Sequence, residues 1–91
     1  MTTSNTEALR LAIKLAGGQS QLGEAIGKTQ GHVSKWLERG VVPPDVCAAI
    51  EAYIGTIKRG AVRCEDLNAT VEWVRDRRGR VTHYRIPVRA A

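Results

Sequence analysis

The chain has 91 residues, 43% of them apolar and 25% charged, which points to one domain of ordinary globular composition and excludes disorder. The net charge is +5 and the pI near 9.8, a balance that suits a polyanionic partner because clustered Lys and Arg release counterions from phosphate. With four aromatics (Trp36, Tyr53, Trp73 and Tyr84) and no Phe, the core must come mostly from Leu, Ile, Val and Ala.

The basic charge sits at the two ends. Residues 1–40 carry five basic and three acidic groups, residues 41–69 three and four, and residues 70–91 six and two. The opening run MTTSNTEALR is polar and lacks the apolar stretch of a secretion signal. No run approaches the roughly 20 apolar residues of a membrane span. A cytoplasmic protein, with no membrane partner and with Cys47 and Cys64 as free thiols, is therefore expected.

Ser4 and Glu7 have the spacing of a capping box, so a first helix is expected to start there. Leu9, Ala12, Ile13 and Ala16 share its inward face, and Gly17-Gly18 stop it. A second short helix is expected from Ser20 to Ile26, with Leu22, Ala25 and Ile26 inward and Gly27 at its end. Thr29 suits the N-cap of a third helix. Val33, Trp36 and Leu37 form the apolar face of that helix, and Gly40 ends it. Pro43-Pro44 punctuate, and Pro44 suits the first turn of a fourth helix. There Val46, Ile50, Tyr53 and Ile54 face inward and Gly55 is expected to close the helix.

From Gly60 the period changes. Residues 61–64 read as a short extended piece and residues 65–67 as a turn. Residues 70–75 and 80–88 are rich in β-branched and aromatic side chains, with Asp76-Arg77-Arg78-Gly79 between them. Asp favours the first position of a type I turn and Gly the left-handed residue after it, so a β-hairpin is expected. With Asp76 opposite Arg80, regular alternation pairs Val74 with Thr82 and Glu72 with Tyr84 on one face, and Trp73 with His83 and Val71 with Arg85 on the other. The fold class expected is mainly α with a C-terminal β-hairpin, an α+β arrangement of about four helices and a hairpin. Residues 1–59 read as the helical part and residues 60–91 as an extended segment and hairpin of the same compact domain.

The informative stretch is QSQLGEAIGKTQGHVSKWLE, residues 19–38. Two short helices crossing steeply need apolar residues on the first that pack onto the second, a small residue where they touch, and a turn residue tolerant of positive φ. Leu22 and Ile26, Gly23, and Gly27 meet these needs. The second helix needs apolar residues on its inner side, and Val33 and Trp36 supply them. This is a helix-turn-helix. Lys28 stands in a slot usually apolar, where its stem can lie on the core and its amine reach out.

Gln30, Gly31, Ser34 and Lys35 project from the outer face of the third helix, with His32 and Glu38 at its margins. Gln can pair bidentately with adenine, Lys donates to guanine O6 and N7, and Ser donates or accepts. Gly31 lets a backbone or a thymine methyl come close. A solvated polar face is the plain alternative. Gln30, Gly31, Ser34, Lys35 and His32 are the base-reading candidates in double-stranded DNA, whereas Glu38 is expected to be structural. Gln19 and Ser20 begin the preceding helix, whose positive end suits a phosphate. With Lys28, Thr29 and Arg39 they are the phosphate candidates.

The run from Gln19 to Gly40 resembles the Cro-type repressors of temperate phages. Trp-x-x-x-Gly-x-Val-Pro-Pro at residues 36–44 and Ala-Val-x-Cys-x-Asp-Leu at residues 61–67 are similar to the Cro-like proteins of YdaS antitoxin type, found in bacterial chromosomes and prophages. The resemblance covers about residues 8–67. It implies a lambda-repressor/Cro-like domain in a bacterial nucleoid-associated repressor of a prophage switch or toxin–antitoxin operon, and it too puts Gln30, Gly31, Ser34 and Lys35 in base-reading slots. Residues 56–59 look like an extra piece, and the hairpin is longer than that family leads one to expect.

A two-stranded hairpin is marginal alone in water, so it should pack on the helices or on a second hairpin. A homodimer built through Val71, Trp73, Tyr84 and Ile86 would set two reading helices about one DNA turn, roughly 34 Å, apart. Arg77, Arg78 and Arg80 at the tip are either an accessory phosphate contact or a charged, solubilising turn. Alternatively the strand edge binds a toxin or another protein, in an antitoxin role. His32, His83, Cys47 and Cys64 lack paired metal-ligand spacing. Nothing resembles a nucleophile–base pair or a phosphate loop, so neither an enzyme nor a cofactor is expected.

Overall fold

The computed structural model describes residues 5–87. Five helices precede a hairpin among these residues: α1 (Asn5–Ala16), α2 (Gln19–Ala25), α3 (Gln30–Arg39), α4 (Pro44–Ile57) and α5 (Cys64–Leu67), then β1 (Glu72–Arg75) and β2 (Val81–Arg85). The fold is mainly helical with a C-terminal antiparallel hairpin. Ser4 of the expected capping box, and Val88 of the expected second strand, lie outside the described residues.

The core gathers one face of each helix. Leu9 and Ala12 of α1, Leu22 of α2, Val33 and Trp36 of α3, and Val46, Ile50 and Ile54 of α4 are buried together. Ile13, Ala16, Ile26, Leu37 and Tyr53 pack half-buried at its margin. Ala25, expected inward, is exposed: it is the last residue of a helix only seven residues long, where the chain already turns away. The core also takes in Val42, Val62, Cys64 and Leu67, so residues after 60 complete the core, with α5 packed against α1 and α4. Glu65-Asp66-Leu67, expected as a turn, is a single helical turn starting at Cys64.

Gly55 does not end α4. The helix runs on to Ile57 with Lys58 as its C-cap, and Gly55 is not among the positive-φ glycines. Thr56 and Ile57 are thus the last residues of α4. A Cβ at Gly55 would meet nothing within 4 Å. Glycine inside a helix costs about 0.5–1 kcal/mol relative to alanine, so Gly55→Ala is expected to stabilise the chain by about that much in urea denaturation.

Both thiols are free and buried. Cys47 Sγ donates to the carbonyls of Pro43 and Val42, at 3.4 and 3.7 Å. Burial, with help from Asp45 and Glu51, pushes the Cys47 thiol up to about 12. Burial and Glu51 push that of Cys64 higher still. A thiol reagent at pH 8 should therefore modify neither in the native chain and two per chain after unfolding, because the thiolate is the reactive form.

The hairpin turn forms as its residues dictate. Gly79 N–H donates to the Asp76 carbonyl (3.0 Å), Gly79 has φ +82°, and Asp76 Oδ1 accepts from the N–H groups of Arg78 and Arg80. The pairing differs from the expected register. Arg75 pairs with Val81, but Val74 then pairs with His83, Trp73 with Tyr84 and Glu72 with Arg85. Thr82 is the extra residue of a β-bulge, and its hydroxyl donates to the Val74 carbonyl at 3.2 Å. A one-residue slip exchanges cross-strand neighbours. Here it sets Trp73 beside Tyr84, with ring centroids 5.6 Å apart, and separates it from His83.

Two links hold the hairpin on the helices. Trp73 Nε1–H donates to the Asn68 carbonyl (2.8 Å), while buried Asn68 donates through Nδ2 to Val42 (2.8 Å) and accepts from Thr70. Arg75, on the same face as Trp73, donates to Glu51 of α4 (2.6 and 3.0 Å), to Glu65 of α5 (2.5 and 3.1 Å) and to the Gly79 carbonyl.

Candidate nucleic-acid interface

α2 and α3 meet at their shared turn. Gly27 takes φ +74°, and Lys28 N–H donates to the Gly23 carbonyl at 2.7 Å. A Cβ on Gly23 would lie 3.0 Å from the Lys28 carbonyl oxygen and 3.0 Å from the Thr29 carbonyl carbon. The backbone of the turn therefore rests directly on α2, which fixes how α3 leaves it. Gly23→Val drives a branched side chain into that backbone and is expected to cost about 3 kcal/mol in urea denaturation, at the upper end of overpacking effects.

Thr29 caps α3. Its hydroxyl accepts from His32 N–H at 3.3 Å, and Thr29 N–H donates to His32 Nδ1 at 3.3 Å. His32 thus takes the place of the Glu or Gln of a capping box. An accepting Nδ1 leaves the ring hydrogen on Nε2. The cap, a role not expected for His32, uses one ring nitrogen, so base contact would have only the other. At the far end Gly40 takes the left-handed cap and its N–H returns to the Trp36 carbonyl at 2.9 Å.

With Val33 and Trp36 held inward, the other face of α3 is left outside. Gln30, Gly31, His32 and Lys35 are exposed, and Ser34 is half-buried. The helix brings Gln19 to this face as well: Gln30 Nε2–H donates to Gln19 Oε1 at 2.8 Å, joining the first residues of α2 and α3. The bond uses one hydrogen of the Gln30 amide and leaves its other hydrogen and its oxygen for a ligand. Gln19 keeps its own amide hydrogens. Sequence reasoning placed both residues at the site but did not foresee this bond, because nothing in a spacing of 11 shows that two helix starts adjoin. Ser20 and Arg39 are exposed and Lys28 is half-buried; Lys28 and Thr29 stand at the start of α3, Ser20 in the first turn of α2 and Arg39 at the far end of α3.

The hairpin candidates divide. Trp73 and Val71 are half-buried, Trp73 already bonded to Asn68, while Tyr84 and Ile86 are 39% and 74% exposed. Arg77, Arg78 and Arg80 are exposed at the tip. No helix among the described residues is long and apolar enough to cross a membrane. No three His, Cys, Asp or Glu side chains among them group as metal ligands.

Residues 9–76 match the family described as bacterial toxin YdaS. The chain belongs to the YdaS family. It is 32% identical over 68 residues to YdaS of Escherichia coli strain K12, which is named as a transcriptional regulator. The match covers 72% of this chain and spans 64% of that relative's length. The structure is similar to that of the Cro protein from a prophage element, Xfaso 1, in Xylella fastidiosa strain Ann-1. The TM-score is 0.60 and the identity 37%, over 66% of this chain and 86% of that one. The helix-turn-helix of this YdaS-family chain is therefore set in a Cro-like fold.

Proposed function

We propose that the chain is a Cro-like transcriptional repressor that binds a two-fold symmetric operator as a dimer, with α3 in the major groove. The observation that carries this reading is the Gln30–Gln19 bond at the joined starts of α3 and α2. A merely solvated face has no need to fix the direction of a glutamine amide. A base reader does, because a bidentate pair with adenine requires the amide plane to be set before contact. In this reading Gln30, Gly31, Ser34 and Lys35 meet base edges with His32 Nε2 at their margin, and Gln19, Ser20, Lys28, Thr29 and Arg39 meet phosphates. The regulator and Cro names of the relatives favour the same reading.

Dimerisation is supported by the outer edge of β2, unpaired among the described residues, with Tyr84 and Ile86 exposed on the strand and just beyond it. Selection of bound duplexes from a random library, followed by footprinting and mass measurement, tests the proposal. The expected result is a symmetric site with half-sites about 10 base pairs apart, carrying two chains. A library that stays random, or an asymmetric site carrying one chain, would overturn it.

A further inference from the structure

The turn of the hairpin stands over the last turns of α4. Between them lies a cleft of about 510 Å³ with Gly55 on its floor, Arg59 and Arg63 on one side and Arg78 and Arg80 on the other. A second cleft of about 610 Å³ shares Ala52, Gly55 and Arg80 and continues along α4 past Ala48 and Thr56. Together they form one furrow, basic at one end and floored by small side chains. None of its residues belongs to α2 or α3.

Two features of the furrow are unexplained by folding. Arg59, Arg78 and Arg80 form no ion pair among the described residues, and Arg63 reaches only an exposed Glu65 at 3.9 Å. The carboxylate that lines the cleft, Glu51, is already taken by Arg75 at 2.6 Å. Arginines from three chain segments are thus gathered in excess of the carboxylates beside them. The second feature is Gly55, a helix-interior glycine required neither by backbone angle nor by any neighbour, whose missing side chain leaves the floor of both clefts open.

We propose that this furrow docks an acidic peptide segment of a protein partner. Guanidinium forks match carboxylates, and the small side chains of the floor let a main chain lie close to α4. A compact inorganic anion fits less well, because the basic end lies at the C-terminus of α4, the negative end of a helix, whose last carbonyls lack intrahelical donors. A peptide brings N–H groups for such carbonyls as well as carboxylates for the arginines. The inference does not rest on operator reading by α3.

The test uses the full chain labelled with ¹⁵N and a ten-residue capped peptide of alternating Glu and Ala, at low salt. The amides of Gly55, Gly60 and Gly79 are expected to shift saturably. Affinity should fall about tenfold or more in an Arg59→Ser, Arg78→Ser variant, the size expected for losing charged hydrogen bonds. It should fall similarly in Gly55→Leu, which fills the floor with a better helix former, meets no neighbour at its Cβ, and should leave operator binding unchanged. Unchanged peptide affinity in Gly55→Leu, no saturable shift at millimolar peptide, or equal shifts of the same glycines by inorganic pyrophosphate or by a DNA duplex would each overturn the proposal.

Discussion

A Gln30→Ala, Lys35→Ala chain is expected to fold normally and to lose operator affinity by about 1–3 kcal/mol for each base contact removed, roughly five- to 150-fold per residue. Both side chains are exposed and neither belongs to the core, so thermal unfolding should hardly change. The loss at Gln30 has two parts. In the proposed reading its amide would no longer meet the base, and Gln19 would lose the hydrogen-bond partner, 2.8 Å away, that fixes its own direction. Gln19→Ala should therefore weaken binding and also blunt base preference, although it is placed on a phosphate. Gel shifts with the selected duplex, at one stated salt concentration, check both variants.

Arg75→Ala is expected to cost about 2 kcal/mol of stability, less than the 3–5 kcal/mol typical of a broken buried pair because this one is partly exposed. Arg75 and Glu51 side chains are 16% and 21% exposed, and Glu65 is 48% exposed. Removal leaves two carboxylates facing each other without their cation and frees the hairpin from α4 and α5. The pH dependence gives a sharper signature. Burial alone would raise the Glu51 carboxyl, but the Arg75 hydrogen bonds and charge, with Cys64 N–H, outweigh it and hold Glu51 below its ordinary 4.5. For Glu65 the Arg75 hydrogen bond is the main cause of a lowered value. The unfolded chain thus takes up protons first as pH falls. The stabilisation is full above the ordinary value and drains away as pH drops through the native ones. Urea midpoints between pH 3 and 7 should show this acid loss in the natural chain and much less of it in Arg75→Ala. An equal acid slope in both would contradict this role of Arg75.

These two results bear on parts of the molecule that differed in how far the sequence revealed them. The helix-turn-helix is local. Gly23, Gly27, Thr29, Val33 and Trp36 act within a few residues of one another, so spacing alone locates the turn, the cap and the outward face. Even there His32 escaped as a capping partner, because Glu or Gln ordinarily fills that position. The hairpin was legible as two strands and a turn, but not in register. The bulge at Thr82 has no residue signature, and alternation carried past it assigned Trp73 the wrong neighbour. Arg75 drew no expectation, since its partners lie 24 and 10 residues away. Gly55 misled for a different reason: glycine near a helix end usually marks the cap, and here α4 continues to Ile57, with the N–H of Lys58 donating to the Ile54 carbonyl.

The central claim is that α3 reads sequence while the residues around it hold phosphate. Affinities of the natural chain, Gln30→Ala and Lys28→Ala for every single-base-pair variant of the selected operator test it most directly. Gln30→Ala should lose discrimination at one base pair in each half-site and keep it elsewhere, while Lys28→Ala should weaken all variants alike and lower the salt dependence by about one ion. A Gln30→Ala profile parallel to that of the natural chain, with no base pair relaxed, would contradict the account.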